Sequence, residues 1–120
     1  MSAETLPLAT QPFPSFEGIV FPRDYAVEIV HDGDVIPLAG RDLLVIQIPD
    51  HAVGSLAFLD GRERILFSGD ELMPQGKTLR GSVAHWARML EKLMAVRERF
   101  DRVFGGGGEV PAQLVEEQLA

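Results

Sequence analysis

Short apolar runs separated by turn residues fill the first half of the chain, a pattern typical of β-strands joined by hairpins. The pairs Asp32-Gly33 and Asp60-Gly61 each separate two segments rich in β-forming residues, and both residue types tolerate the positive φ of a tight turn. The runs LLVI and ILF are continuous rather than alternating, which indicates strands covered on both faces. The pattern predicts five strands, at residues 26–30, 35–38, 42–48, 55–59 and 64–68.

The hydrophobic period changes in the second half of the chain, where apolar residues recur at helical spacing behind Ser82. This spacing predicts an amphipathic helix that Ser82 caps at its N-terminus, with most charges on the outer side. The residues expected on its apolar face are Val83, Trp86, Leu90, Leu93 and Phe100. Beyond the helix, RVF is a candidate short strand, and the glycines at 105–108 predict a turn. The last residues predict a short helix with Pro111 in its first turn.

The domain organisation follows from length and proline content. A chain of 120 residues fits one domain. Residues 1–24 hold four prolines, which disfavour helix and interior strand, so we expect a proline-rich N-terminal arm there. Residues 25–120 form the single folded domain. The expected fold class is α+β: a mixed or antiparallel sheet of about five or six strands, then an amphipathic helix and a short C-terminal helix.

Composition and charge exclude several kinds of function. Cysteine is absent, which removes disulfides, thiolate metal sites and a cysteine nucleophile. The net charge of -7 opposes binding to nucleic acid or to an anionic membrane, since both need clustered Lys and Arg. No basic segment followed by an apolar core opens the sequence, so we expect a cytoplasmic protein.

Two residues stand at positions where chemistry is plausible. His51 precedes a Gly-Ser pair, and Asp70 follows an apolar run and a glycine. A histidine beside a turn and an aspartate after a strand are commonly solvated or capping side chains, and spacing alone leaves that interpretation open. The three histidines are far apart in sequence, so a metal site would have to be assembled from distant residues. Ser55 and Ser68 have no recognisable base nearby in the sequence, which gives a serine hydrolase little support.

Taken together, these segments resemble the C-terminal half of a metallo-β-lactamase-fold hydrolase, over roughly residues 30–110. PDHAVGS at 49–55 is similar to the family element P-G-H-[ST]-x-G-S, whose histidine is a metal ligand. LFSGD at 66–70 matches L-F-[ST]-G-D, whose aspartate bridges two metal ions. GGGGE at 105–109 stands where a G-H-G element supplies the last histidine. The resemblance implies half of an αββα sandwich, with His51 and Asp70 as metal ligands.

The departures from the family pattern shape the functional expectation. The family's H-x-H-x-D-H signature is absent from residues 1–50, Gly107 stands at the position of the last histidine, and Asp50 replaces a glycine. Two ligands are fewer than the three of a catalytic zinc site. We therefore expect a truncated or degenerate domain, not a competent hydrolase alone, that acts as a dimer or binding module. It would bind no cofactor tightly, and zinc, iron or manganese only if another chain completed the site.

Two alternatives remain from the sequence. One is a metal-dependent, zinc-type hydrolase whose site is completed across a subunit interface. The other is an unrelated small α+β binding protein. Half of a sandwich would leave an apolar sheet face uncovered, and large exposed apolar patches are rare on monomers. For a chain of this family we therefore expect something to cover that face: a homodimer or a partner chain, with the proline-rich arm as a further alternative.

Overall fold

The computed structural model describes residues 1–4, 26–48, 54–72 and 82–119, and these form one six-stranded sheet with helices on one face. The strands lie side by side in chain order, and every pair is antiparallel except β4 and β5, which are parallel. The fold is therefore α+β with a mixed sheet, as the sequence predicts. In chain order the elements are β1 (Val35–Leu38), β2 (Arg41–Gln47), β3 (Leu56–Asp60), β4 (Ile65–Gly69), α1 (Val83–Ala95), a 3-10 turn (Arg97–Arg99), β5 (Arg102–Gly105), β6 (Gly108–Val110) and α2 (Leu114–Leu119).

The predicted strand at residues 26–30 is wrong. Only Val30 makes a β-bridge, an isolated parallel one with Ser2. The turn that follows does not send the chain back along a preceding strand; it packs against β2 instead. The N–H of Gly33 donates to the carbonyl of Val45 at 2.8 Å, and the N–H of Val45 donates to the carbonyl of Asp34 at 2.8 Å. Most of the predicted arm at residues 1–24 lies outside the described residues.

The β3–β4 hairpin forms where Asp60-Gly61 predicts it, but the carboxylate of Asp60 organises the turn. This side chain is fully buried and accepts the N–H groups of Arg62 and Glu63 at 3.1 and 3.0 Å. The residue with positive φ is Arg64, at 58°, rather than Gly61. The hydrogen bonds to the buried aspartate therefore set the backbone conformation of this turn, and the conformational preference of the Asp-Gly pair does not.

Helix α1 begins as predicted and ends early. The hydroxyl of Ser82 accepts the N–H of His85 at 3.2 Å, which confirms the N-cap. The helix stops at Ala95 and tightens into the 3-10 turn, so Phe100 is buried from beyond the helix rather than from its apolar face. Val83, expected on that face, is 70% exposed. No helix in the described ranges is both long and apolar enough to cross a membrane.

The C-terminal region differs from its predicted form in two details. Only the middle two of the four glycines form the turn; Gly105 and Gly108 pair with each other in β5 and β6. Pro111 lies ahead of α2, which begins at Leu114, rather than in its first turn. The reason is that Val110 pairs with Val103 and is buried, so the chain continues as a strand up to the proline.

The two faces of the sheet have different environments. On one face, side chains of the strands pack with the helices in a single apolar core, which includes Ile46, Leu59, Leu66, Leu90, Leu93, Phe100, Val103 and Val115. The opposite face carries an apolar row that crosses four strands through Val45, Phe58, Phe67 and Phe104. Val45 is buried, whereas Phe67 is 39% exposed and its ring stacks on Phe104 with centroids 6.1 Å apart. This face is therefore open towards β4 and β5.

Candidate functional site

Strand directions bring three separate segments to one edge of the sheet. Because β2 and β4 both run antiparallel to β3, and β5 runs parallel to β4, the ends of β2, β4 and β5 share this edge with the starts of β3 and β6. We call it the site edge, and its strand ends are Gln47, Leu56, Gly69, Gly105 and Gly108. The other edge, at Gly40, Gly61 and the start of β5, is called the opposite edge.

Asp70 lies at the site edge, directly after β4, and is exposed. Its carboxylate lies against the β5–β6 turn: a Cβ atom added to Gly106 would stand 1.9 Å from Asp70 Oδ1 and 3.0 Å from its Cγ. The two chain segments are also joined directly, because the N–H of Gly106 donates to the carbonyl of Gly69 at 2.8 Å. The carboxylate of Asp70 therefore occupies the space that a side chain at position 106 would take, and it would have to shift if residue 106 had a Cβ atom.

The backbone of the same turn packs closely beside Asp70. A Cβ atom at Gly105 would stand 3.1 Å from the carbonyl oxygen of Gly69 and 3.3 Å from that of Leu72. Among the described residues, nothing lies within 4 Å of where a Cβ atom at Gly107 would stand. The resemblance places the family's last histidine most simply at Gly107, and at this position the chain has no side chain.

His51 lies outside the described residues, so its role as a metal ligand stays a prediction. The residues on either side of its segment are described. The N–H of Ile48 donates to the carbonyl of Ser55 at 3.1 Å, and the hydroxyl of Ser2 donates to the carbonyl of Gly54 at 2.9 Å. Hydrogen bonds therefore hold the described residues on both sides of His51 at the site edge.

The ligand set in the described part of the chain is small. Within those ranges, no three His, Cys, Asp or Glu side chains come together as a metal-binding group. A structural or catalytic metal site normally has at least three protein ligands. The described side chains at this edge therefore do not by themselves fit a metal ion, and we derive no reaction step through one.

Two further polar residues near Asp70 were given no role by sequence reasoning. Glu71 follows Asp70 and is only 1% exposed, although charged residues are seldom fully buried. Ser68 precedes Gly69 and is fully buried on the helix-covered side of the sheet, and its hydroxyl has no hydrogen-bond partner in the described structure. A serine nucleophile would need a base within hydrogen-bond reach, so this geometry does not support Ser68 as one.

The glycines after β5 do not form a phosphate cradle. Glu109, which follows them, pairs with Arg102 through two bonds of 2.9 and 3.2 Å. Hydrogen bonding from this guanidinium lowers the pKa of Glu109. This carboxylate is already paired with Arg102, and the turn at Gly106 and Gly107 has no cationic side chain that would bind a phosphate.

The mixed six-stranded sheet, with Asp70 at its site edge, agrees with the metal-dependent hydrolase fold that the motifs resemble. The family model of the metallo-beta-lactamase superfamily matches residues 3–110. The chain therefore belongs to the metallo-beta-lactamase superfamily. This membership excludes the alternative of an unrelated small α+β binding protein.

Two named relatives are similar in sequence to part of this chain. It is 50% identical over 42 residues to the acyl-coenzyme A thioesterase MBLAC2 of Homo sapiens, covering 35% of this chain and 15% of that protein. It is 36% identical over 70 residues to the hydroxyacylglutathione hydrolase of Photobacterium profundum, covering 56% of this chain and 27% of that protein. The matched part of the chain thus spans 15% of the first relative and 27% of the second.

Solved structures show the same fold. A metallo-beta-lactamase family protein from Thermus thermophilus superposes with a TM-score of 0.57 and 24% identity, over 76% of this chain and 33% of that one. A metallo-beta-lactamase from Pontibacter korlensis superposes with a TM-score of 0.59 and 18% identity, over 76% of this chain and 46% of that one. Identities this low show the fold alone, and this chain corresponds to less than half of each structure.

Proposed function

We propose that this chain is a metallo-β-lactamase half-domain that keeps two metal-ligand positions, His51 and Asp70, and is not a competent hydrolase by itself. The observation that supports this most directly is the β5–β6 turn. Asp70 lies against Gly106, and the next residue, Gly107, has no side chain that could act as a further ligand. Two ligands hold a transition metal weakly, so the chain acts as a binding module rather than an enzyme.

A second copy of the chain is the partner that we propose for the open sheet face. The stacked rings of Phe67 and Phe104 are partly exposed there, and the guanidinium of Arg102 lies 5.0 Å from the Phe104 ring centroid. Arg102 and Glu109 both border this patch and carry opposite charges. A two-fold contact through this patch would bury the exposed parts of the Phe67 and Phe104 rings of both copies.

A metal-dependent hydrolase completed across a subunit interface is the second candidate. It is favoured by the named relatives, a thioesterase and a hydroxyacylglutathione hydrolase, both of which are hydrolases. In that case zinc, or iron or manganese, would bind to His51 and Asp70 together with residues of another chain. The two candidates differ in metal content and in which residues hold the metal.

Zinc titration of the purified chain tests the proposal, with Gly107→His as the decisive variant. We expect the unmodified chain to bind zinc weakly and Gly107→His to bind roughly tenfold tighter or more, since it adds a third protein ligand. Adding Asp70→Ala to that variant should abolish the gain. Sedimentation of the same samples should show a dimer with or without zinc.

The opposite outcome favours the second candidate. About one zinc per unmodified chain, retained through purification and lost in both His51→Ala and Asp70→Ala, would overturn the two-ligand proposal. A monomer at all concentrations would overturn the proposed second copy on the sheet face. Arg88→Met, on the exposed side of α1, serves as a control variant that should change neither measurement.

A further inference from the structure

The first and last strands of the sheet, β1 and β6, each have one side without a neighbouring strand in the described part of the chain. Strand β1 has four residues and β6 has three. An edge strand presents unpaired N–H and C=O groups, to which a strand of another molecule can bond. Each of these edges is therefore a possible contact with a second copy, in addition to the open face of the sheet.

The hydrogen bonds of Val45 show which residues of β2 bond towards β1. Its N–H donates to the carbonyl of Asp34 and its carbonyl accepts the N–H of Gly33, both at 2.8 Å. Along an antiparallel strand, the backbone groups of successive residues point alternately to one side and to the other. Leu43 and Arg41, two and four residues before Val45, therefore also bond towards β1, and the residues between them do not.

Pro37 stands at an outward position of β1. The residues of β1 that pair with Leu43 and Arg41 are Ile36 and Leu38, so these two direct their backbone groups into the sheet. Pro37 lies between them, and its backbone therefore faces away from β2. Proline has no N–H group. At this position β1 thus offers no donor to an added strand.

The backbone of β5 shows the same alternation at the other side of the sheet. Arg102, the first residue of β5, and Gly106, directly after its last, donate their N–H groups to the carbonyls of Arg64 and Gly69, at 3.3 and 2.8 Å. Both bonds run towards β4. Phe104 lies two residues from each and therefore bonds towards β4 as well.

Pro111 stands at an outward position of the last strand edge. Glu109 of β6 pairs with Phe104, whose backbone groups point the other way, so the backbone of Glu109 faces outwards. Pro111 is two residues further, at the next outward position, and is exposed, as is Pro37. Both edges of the sheet therefore carry a proline where an N–H group would meet an added strand.

We propose that Pro37 and Pro111 close both edges of the sheet to strand addition, so that a second copy of the chain docks on the open face and does not extend the sheet. Proline on an edge strand hinders pairing because it removes a ladder donor. The docking on the open face rests on the proposed function, whereas the closed edges do not. A chain with the face contact alone forms a closed two-fold dimer, and a second self-contact at an edge would continue the assembly.

Pro37→Thr in the full chain tests the edge of β1. Threonine favours strands and restores the N–H at the outward position. We expect sedimentation to show assemblies larger than the dimer that grow with concentration, and hydrogen exchange over residues 35–38 to slow within them. Pro111→Thr tests the edge of β6 in the same way. The matched control is Leu38→Thr, which should sediment as the unmodified chain does, because the backbone of Leu38 already bonds to Arg41.

A second substitution shows whether the restored N–H is responsible. Val35 is the other outward residue of β1, so adding Val35→Pro to Pro37→Thr leaves the edge with one donor, as in the unmodified chain. This double variant should sediment as the unmodified chain does. Assemblies that persist in it, or proline variants that sediment unchanged, would overturn the closed edges. An unmodified monomer, with a Pro37→Thr dimer and nothing larger, would keep the closed edge and overturn the second copy on the open face instead.

Discussion

The two edges of the sheet are held together in different ways. At the opposite edge, charged side chains bond to turns: Arg41 Nη1 donates to the buried carboxylate of Asp60 at 2.9 Å. There too, Arg64 makes two bonds to Asp101, at 2.6 and 2.9 Å, and a third to the carbonyl of Glu98 at 2.7 Å. This edge is fixed by hydrogen-bonded ion pairs.

The site edge depends on close backbone approach instead. Gly105 and Gly106 let the β5–β6 turn lie against Gly69, Asp70 and the carbonyl of Leu72. Because Gly106 has no side chain, the carboxylate of Asp70 can lie directly against the backbone of this turn. Hydrogen-bonded ion pairs therefore hold the opposite edge, whereas glycines shape the site edge between β4 and β6. At the end of β2 the site edge also has an ion pair, since Lys92 Nζ donates to Asp32 and to the carbonyl of Gln47.

Removing the buried acid of the opposite edge should give the largest loss of stability. Asp60→Ala removes a fully buried carboxylate that accepts the N–H groups of Arg62 and Glu63 and the guanidinium of Arg41. We expect the urea midpoint to fall further than for any other variant described below. The matched control is Asp42→Ala, an exposed acid at the same edge. Equal midpoints for the two variants would contradict the organising role of Asp60.

Two glycine-to-alanine substitutions compare how much stability each edge loses when a methyl group is added. In Gly105→Ala the new methyl group meets two backbone carbonyls, at 3.1 and 3.3 Å, and we expect a loss of about 1–3 kcal/mol from overpacking. In Gly61→Ala it meets only the end of the Arg99 side chain, at 3.4 Å, and the change should stay within about 0.5 kcal/mol. Urea denaturation of both variants measures the difference. A larger cost at Gly61 would reverse the comparison.

The smallest effect that we expect is on acid stability. A hydrogen bond from Arg64 lowers the pKa of Asp101 from its ordinary value of 3.8, so the folded state favours the charged form. Stability from this pair is therefore fully present above the unfolded pKa and is lost as pH falls through the lower, folded pKa. Urea midpoints at pH 6 and at about pH 3 should differ less in Asp101→Asn than in the unmodified chain. The exposed Asp42→Asn should leave the difference unchanged, and an equal effect there would show that Asp101 is not the acid responsible.

Local signals accounted for the elements that the sequence predicted correctly. Ser82 caps α1, and the apolar runs of β2, β3 and β4 lie within about a residue of their predicted positions, because caps and hydrophobic period act over a few residues. The strand at 26–30 failed because Gly33 and Asp34 bond to Val45, a partner that nothing local indicates. Helix α2 begins later than predicted for a similar reason, because Val110 pairs with Val103 in the sheet just before Pro111.

Within the candidate site, too, motifs predicted some residues, whereas contacts between distant segments could not be predicted. Asp70 was found from its motif, LFSGD, and the structure places it at the site edge beside the glycines that stand in the place of the last ligand. His51 came from an equally recognisable motif and stays a prediction. The ion pair between Asp32 and Lys92 could not be predicted, since 60 residues separate the two and neither belongs to a motif.

The sequence by itself determined the strand–turn–strand order, the capped helix and the two ligand-type residues with their departures from the family pattern. These follow from hydrophobic period, turn chemistry and motif spacing, all of which operate along the chain. Only the tertiary structure decided that the carboxylate of Asp70 lies against Gly106 and that Lys92 Nζ donates to the carbonyl of Gln47 at the end of β2. The physical reason is that these contacts join segments whose approach depends on the packing of the whole sheet against its helices.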